Sequence, residues 1–539
     1  MKKWARPGLL LLFLVPAFSL MLRPGIYTMH DPHVFRIQQF DNCIKDGVFP
    51  CRWAADSGKG YGEPMFNFYA QFPYWITQVF RTLNFSVLDS TKLAFIFSIL
   101  ASGISMYLLA RRHWGPGGGL VSAVFYVYAP YRAVDVWVRG ALPEALAFVL
   151  YPLIILQLDE YLNSKKTSRL VIFSVLIALL VTTHNLSLLM FLPFLGIFWL
   201  YRCISSKDFS SFPKLLLSAV FVLGLTAYYW LPVVFESSLV TLNETVSGYY
   251  DFHIHFTTLK ELFISRYWGY GASLWAQKFL SVSIGQLHWV VPLLILPFAL
   301  IKRKNNFLLF LTLGFLALFL THGKSSVIWN YVPVMKYIQF PWRFLTVAAF
   351  FMSLSAGYAV NLFQARKLIV SGLIISVILV NYSFFRPDIW RTITDSEQFS
   401  GALWDEGRST SLSDFWPKSA PDLPKDFAFS QPDFMSGSGT VTGFSKKSHS
   451  AAAMVLVTSP GAVRFPIVYF PGWRMFDTQG RQLEIVAAGR LGLITVDLPS
   501  GYHYLNLRFQ NTLPRTVGNW TSLLSLVTLP IWFLKKRLG

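Results

Sequence analysis

The chain has 539 residues, of which 54% are hydrophobic, 17% aromatic and 14% charged. Soluble domains carry about 25% charged residues, and a soluble globule of this composition would expose large apolar patches, so the composition points to a polytopic α-helical membrane protein. The formal net charge of +20 raises nucleic-acid binding as a competing reading, but the basic residues are spread in small clusters between apolar runs, as in short membrane loops.

A bilayer crossing takes about 20 apolar residues. Hydropathy gives about twelve spans: 7–23, 91–110, 119–131, 142–160, 170–184, 186–202, 215–235, 287–301, 307–321, 344–363, 368–385 and 518–534. The first has a basic start, Lys2-Lys3, and an apolar core, like a signal peptide. No small-residue cleavage site follows, and Arg23 and Pro24 interrupt the region, so it reads as a retained helix. Further basic clusters include Arg111-Arg112, Lys165-Lys166, Lys302-Arg303-Lys304, Arg366-Lys367 and Lys535-Lys536-Arg537. Setting all of them on the cytoplasmic side satisfies the positive-inside rule and makes both termini cytoplasmic.

Four loops then face outward. The first runs from about 24 to 90 and is rich in aromatics, and 66–81 is expected to lie along the membrane surface as an amphipathic helix. Cys43 and Cys51 fall in this loop, where a disulfide and two free thiols are both open. The second loop is 131–140, the third about 236–286, and the fourth about 322–343. Spans five and six nearly abut at Thr183-His184-Asn185, a tight outer turn.

From about 386 to 515 the chain turns polar and rich in Pro, Gly, Ser and Asp. Short apolar stretches at 455–457, 466–470, 483–486, 493–496 and 504–509 alternate with turn signals. They predict a small β-sandwich on the outer face, preceded by an irregular connection over 388–450. The division is therefore a transmembrane domain at 1–385, an extracytoplasmic β-sandwich at 386–515, and a final helix with a basic tail at 516–539. No internal repeat, phosphate-binding glycine loop or zinc-ligand spacing occurs.

The informative polar residues are those that break the positive-inside pattern. Arg36, Arg52, Arg132, Arg139 and Arg343 all fall in membrane-proximal outer loops, and the arginine fork suits phosphate and carboxylate. Headgroup contact or a surface ion pair is the plainer use of any one of them. Asp31 follows the first span, Asp135 and Glu144 flank the second loop, and Glu236 closes a helix at the same face. Carboxylates at such depths are costly and point to function; the plainer roles are a turn cap for Asp31 and a helix-dipole partner for Glu144. His184 and Asn185 at the tight turn suit hydroxyl binding. His30 and His33 flank Asp31 and are the pair open to a divalent metal; no other metal or cofactor is indicated. Carboxylates, arginines and aromatics at one face match glycosyl transfer from a lipid-linked phosphosugar, with a carboxylate as general base and arginines offsetting the leaving phosphate.

The stretch from His30-Asp31-Pro32-His33-Val34-Phe35-Arg36 through Gly47-Val48-Phe49-Pro50-Cys51-Arg52-Trp53 resembles the first outer loop of the C-type integral-membrane glycosyltransferases (GT-C), the class of the dolichyl-phosphate-mannose protein mannosyltransferases. Tyr131-Arg132, Arg139-Gly140-Ala141-Leu142-Pro143-Glu144, Thr183-His184-Asn185, Phe340-Pro341-Trp342-Arg343-Phe344 and Tyr469-Phe470-Pro471-Gly472-Trp473 look like those of YfhO-like and 6-pyruvoyl-tetrahydropterin-synthase-related bacterial membrane proteins. The resemblance implies a catalytic acid residue at Asp31, with Glu144 second. Arg36, Arg139 and Arg343 would be phosphate ligands. The mannosyltransferases carry paired acidic residues in this loop, whereas here Pro32 follows Asp31. The label implies no pterin chemistry, since the zinc-binding histidine triad of that enzyme is missing. The expected protein is an inverting glycosyltransferase of the plasma (inner) membrane. Its partners would be a polyprenyl-phosphate sugar and a cell-envelope glycan, lipid or protein acceptor. A flippase or a non-catalytic assembly protein for lipid-linked saccharides is the alternative. A transporter predicts polarity through the bilayer midplane and pseudo-symmetric halves, and this chain concentrates polarity at one face.

Overall fold

A computed structural model describes residues 5–241, 246–274, 278–362, 366–410 and 414–538; the Lys2-Lys3 cluster lies outside the described residues. Five helices among them are long and apolar enough to cross a membrane: Val87–Val127, Leu142–Ser164, Asn185–Ser206, Pro341–Asn361 and Arg366–Phe384. A bent pair, Phe212–Leu225 with Ala227–Leu239, makes a sixth if taken as one span. Shorter apolar helices at Gly8–Ala17, Thr167–Thr183, Gln286–Ile301 and Asn305–Thr321 fall on other expected spans.

Val87–Val127 is 41 residues long. Run straight, it would measure about 60 Å, twice the hydrocarbon thickness. It breaks at Gly115, where φ is 74° and ψ 178°, and Pro116 follows. Glycine takes this left-handed φ without steric cost, and proline suits the start of a helix. The arms fold back on each other, so that Gly119 packs against Tyr107 and Arg111 while Gly103 lies near Val127.

The expected span 215–235 is bent by 74°. The cause lies far along the chain. Ser522 in the last helix, Leu513–Leu538, accepts from the Tyr228 N–H at 2.9 Å and donates to the Gly224 carbonyl at 3.1 Å. A polar side chain inserted into a helix ladder is a recognised origin of kinks. Close approach is possible because Gly224 faces Ser525 and Gly518 lies against the Ala227 carbonyl, with no room for a Cβ at either glycine. Small residues serve helix contacts in membranes in this way.

The first loop is folded. Cys43 and Cys51 are joined by a disulfide. Helices span His33–Lys45 and Phe72–Thr82, and Ile26–Tyr27 pairs antiparallel with Trp390–Arg391 just after the Arg366–Phe384 helix. At the far end of the chain are two antiparallel sheets. One has five strands in the order Gln482–Leu483, Trp473–Phe476, Gly501–Phe509, Ser450–Ser459, Ser438–Lys446. The other has four: Val486–Ala488, Leu493–Leu498, Gly461–Val468, Asp433–Phe434.

The connection expected to be irregular over 388–450 contains the helix Gly401–Ser409 and the strand Ser438–Lys446. That strand lies at the sheet edge with neither face fully buried, so its sequence needs no apolar alternation and reads as a loop.

Glu63 in the first loop is fully buried. Its main chain bridges Ala54, Ser57 Oγ donates to Oε1 at 2.5 Å, and Oε2 has no hydrogen-bond partner among the described residues. Burial pushes this carboxyl up to about 8, against the pull of the Ser57 bond. The folded state therefore keeps a proton that the unfolded chain releases above 4.5, and stability falls as pH rises from there to about 8. Glu63→Gln mimics the neutral form and should flatten that decline. Thermal unfolding of the solubilised protein at pH 5 and pH 8 checks it; an unchanged pH slope would show the carboxyl to be ionised in the fold.

Candidate active site

The loop end of the helices encloses a cavity of about 700 Å³. Asp31, Arg36, Arg139, Glu144 and Arg343 all line it, as do His184 and Asn185 at the turn between two helices. Segments from every expected outer loop meet here, together with residues 414–415 from the polar C-terminal region.

Asp31 is fixed by its backbone. Its N–H donates to the Arg139 carbonyl at 2.9 Å, and the His30 N–H donates to the Val138 carbonyl at 3.2 Å. The Asp31 side chain is 38% exposed, with His33 Nε2 at 3.7 Å. His33 lies behind it, fully buried, with Nδ1 3.2 Å from the Tyr74 hydroxyl. Burial alone would raise the Asp31 carboxyl. The His33 contact and the charges of Arg139 and Arg36 overcome this and hold it well below the usual carboxylate range, so Asp31 is ionised at neutral pH with lone pairs turned to the cavity.

Arg139 ends a wide turn, Val134–Arg139, closed by Gly140 at φ 63°. A Cβ on Gly140 would collide with Met29, the neighbour of His30. The guanidinium donates to Asp135 Oδ1 and Glu144 Oε2, both at 2.6 Å, and to the Tyr131 hydroxyl at 3.2 Å. Glu144 opens the helix Leu142–Ser164, where the dipole favours a negative charge. Its Oε1 accepts from the hydroxyls of Tyr131 and Thr346, each at 2.7 Å. Among the described residues Glu144 thus accepts from Arg139, Tyr131 and Thr346, whereas the Asp31 side chain has only the His33 ring beside it.

The other two cavity arginines are held by rings. Arg36 lies over Tyr69 at 4.6 Å with its Nε unpartnered. Arg343 lies over Phe340 at 4.8 Å and donates to the Ile338 carbonyl at 2.9 Å and Gln339 Oε1 at 3.0 Å. His184 Nδ1 is 2.6 Å from Ser187 Oγ, and Asn185 Oδ1 accepts from the Leu186 N–H. Leu186, Leu189 and Val233 give one side of the cavity an apolar wall.

Four residues expected to bind substrate do not line the cavity. Arg132 is fully buried under it, donating to the Ala145 carbonyl at 2.6 Å and Ser98 Oγ at 2.9 Å. Asp135 is the buried counter-charge of Arg139. Arg52 donates to Asn67, Asn519 and the Tyr228 carbonyl. Glu236 pairs with Arg515 at 2.9 Å and accepts from Asn67 at 2.7 Å. The last two fasten the final helix to the first loop and the bent helix. His30 and His33 are the pair open to a divalent metal. His30 Nε2 lies 2.6 Å from the Tyr270 carbonyl, which occupies it as a donor, while His33 is turned inward. Among the described residues no group of three or more His, Cys, Asp or Glu could hold a metal ion.

Sequence reasoning missed Tyr249, Tyr250 and Asp414, which also line the cavity. Asp414 precedes Phe415-Trp416-Pro417, an aromatic cluster in an otherwise polar stretch and the one local signal that the segment is anchored.

The roles of two arginines separate in their cost. Arg139→Met leaves Glu144 and Asp135 buried without counter-charge, and should cost about 3–5 kcal/mol. Arg343→Met gives up two bonds within its own loop and should cost no more than about 1–2 kcal/mol. Thermal unfolding of both variants in detergent ranks them; equal losses would contradict the division between framework and cavity arginine.

A family model described as "6-pyruvoyl-tetrahydropterin synthase related domain; membrane protein" matches residues 66–386. No curated protein matches the chain. Among solved structures, ArnT from Cupriavidus metallidurans bound to undecaprenyl phosphate is similar at 16% identity and a TM-score of 0.38, over 69% of this chain and 63% of that one. The oligosaccharyltransferase of Archaeoglobus fulgidus, tethered to an acceptor peptide containing the NVT sequon, is similar at 13% identity and a TM-score of 0.41, over 71% of this chain and 55% of that one. Its apo form gives a TM-score of 0.42 at 13% identity, over 78% and 57%. The chain thus spans less than two thirds of each.

Proposed function

The chain belongs to the 6-pyruvoyl-tetrahydropterin synthase-related family of membrane proteins, and we propose that it is a GT-C glycosyltransferase moving a sugar from a polyprenyl-phosphate carrier to an acceptor hydroxyl. One observation carries the reading: an ionised carboxylate, Asp31, opens onto the same cavity as Arg343 and Arg36, beside an apolar wall. A lipid phosphate needs such a cation next to such a wall, and the acceptor needs such a base.

In this reading Asp31 takes the proton of the acceptor hydroxyl. The acceptor oxygen bonds to the anomeric carbon from the face opposite the phosphate, so the configuration inverts. The bond from that carbon to the phosphate oxygen breaks, and polyprenyl phosphate leaves with the electron pair. Arg343 is the principal phosphate ligand, supported by His184 and Arg36. Arg139 and Glu144 hold the geometry. No cofactor enters these steps. The protein sits in the plasma membrane with both termini cytoplasmic, about twelve spans and the cavity extracytoplasmic. The two C-terminal sheets form a sandwich outside, and the acceptor is a cell-envelope glycan, lipid or protein.

Asp31→Asn removes the base and keeps the shape. Release of undecaprenyl phosphate from undecaprenyl-phosphate sugars in proteoliposomes should drop by about 10²–10⁴, with the protein still folded in the membrane. Release at the parent rate would remove Asp31 as base, and movement of the intact lipid-linked sugar across the bilayer would favour a flippase.

A further inference from the structure

The proposed reaction leaves Asp414 without a role, although it lines the cavity. The ring of Phe415 stacks on Phe68 with centroids 6.0 Å apart and planes 9° apart, and meets Tyr69 edge-on at 6.3 Å. Trp416 is buried, and its Nε1 donates to the carbonyls of Ala420 and Asp422, each at 3.1 Å. The face of Trp416 covers Gly58, where a Cβ would meet the ring at 2.6 Å. The Trp416 carbonyl accepts from the Thr241 N–H, and Pro417 bridges Val240. Asp414 is thus held over the cavity by contacts with the first and third loops.

Among the described residues its carboxyl makes no hydrogen bond or ion pair. The charged groups that face it are Arg36 and Asp31; it also acts on the Glu63 carboxyl and on Tyr69 and Tyr250. Burial raises its carboxyl; Arg36 opposes this and Asp31 adds to it. A half-buried carboxyl next to a second carboxylate is a poor neighbour for phosphate. It is a good one for a hydroxyl, which can donate to it or accept from its protonated form. The adjoining tyrosine rings offer faces and hydroxyls of the kind a sugar ring meets.

We propose that Asp414 is a sugar-binding residue whose carboxyl holds a ring hydroxyl, so that the C-terminal region completes the cavity begun by the first loop. The proposal rests on the glycosyltransferase reading. The hydroxyl can belong to the donor sugar or to an acceptor sugar, and binding separates the two. The full-length protein, Asp414→Asn and Asp414→Ala are placed in nanodiscs. Equilibrium affinity is measured for undecaprenyl phosphate, for a panel of undecaprenyl-phosphate hexoses, and for free hexoses in the presence of undecaprenyl phosphate.

A hydrogen bond to a charged group corresponds to roughly tenfold to hundredfold in affinity. Asp414→Ala should lose that much in one sugar-bearing arm, Asp414→Asn less, and both should bind bare undecaprenyl phosphate as the parent does. Loss for the undecaprenyl-phosphate hexoses assigns the donor sugar; loss for the free hexoses alone assigns the acceptor. Unchanged affinity in both sugar arms, or an equal loss for bare undecaprenyl phosphate, overturns the role of Asp414. A parent protein that binds none of the lipids overturns the glycosyltransferase reading, and Asp414 falls with it.

Discussion

The buried charge of Arg139 is the constraint around which the loop end is built. A buried guanidinium is tolerable only when paired with opposite charge. Arg139 meets this with Asp135 from its own turn and Glu144 from the start of the next helix. Glu144 in turn requires the hydroxyls of Tyr131 and Thr346. The network joins the second loop to two helices and gives the turn little freedom to move. The carbonyls of Val138 and Arg139 then hold the N–H groups of His30 and Asp31. The position of the open carboxylate is thus inherited from two carboxylates paired with one arginine.

A second device brings the end of the chain to the same place. Ser522 enters the bend of the broken helix, and Glu236 at the end of that bend pairs with Arg515. Asn67 of the first loop donates to Glu236 and accepts from Arg52. Once the last helix is seated, the sheets before it are tethered at both ends, by this helix and by the strand Trp390–Arg391 on Ile26–Tyr27. The short stretch at 414–417 can therefore reach the first loop at small further entropic cost, because the ends of the intervening segment are already fixed.

How much of this was legible in the sequence follows from what fixes each feature. The apolar helices were legible because the bilayer imposes length and apolarity locally. The two arms of Val87–Val127 were legible as separate runs for the same reason, with Gly115-Pro116 between them. The bend near Thr226 was not, since its cause, Ser522, lies 294 positions away. Asp31, Arg36, Arg139, Glu144, His184, Asn185 and Arg343 were picked out as polar residues at one membrane face, and they do meet in one cavity. Arg52, Arg132 and Glu236 carry the same local signature. They differ only in having partners such as Asn519, Ser98 and Arg515, which no local pattern reveals. Asp414 lacked even that signature, because it lies in a segment with no apolar period.

The same distinction orders the cavity chemically. Polar groups whose hydrogen-bonding capacity is filled by the protein set geometry, and those left with capacity facing space are free to act on a ligand. Glu144, which the sequence offers second to Asp31, accepts from three protein donors and belongs with its partner Arg139 in the framework. Asp31 has one imidazole at 3.7 Å, Arg36 lies over the Tyr69 ring at the cavity, and Asp414 has no bonded partner among the described residues. These three come from the first loop, with Arg36 on its helix His33–Lys45, and from the polar C-terminal region. The helical region and its second loop hold the ion-paired network, while the first loop and the C-terminal region, held by aromatic contacts, supply the other groups. A site divided in this way can change its ligand through the first loop and the C-terminal region without disturbing the buried ion pairs on which the fold relies.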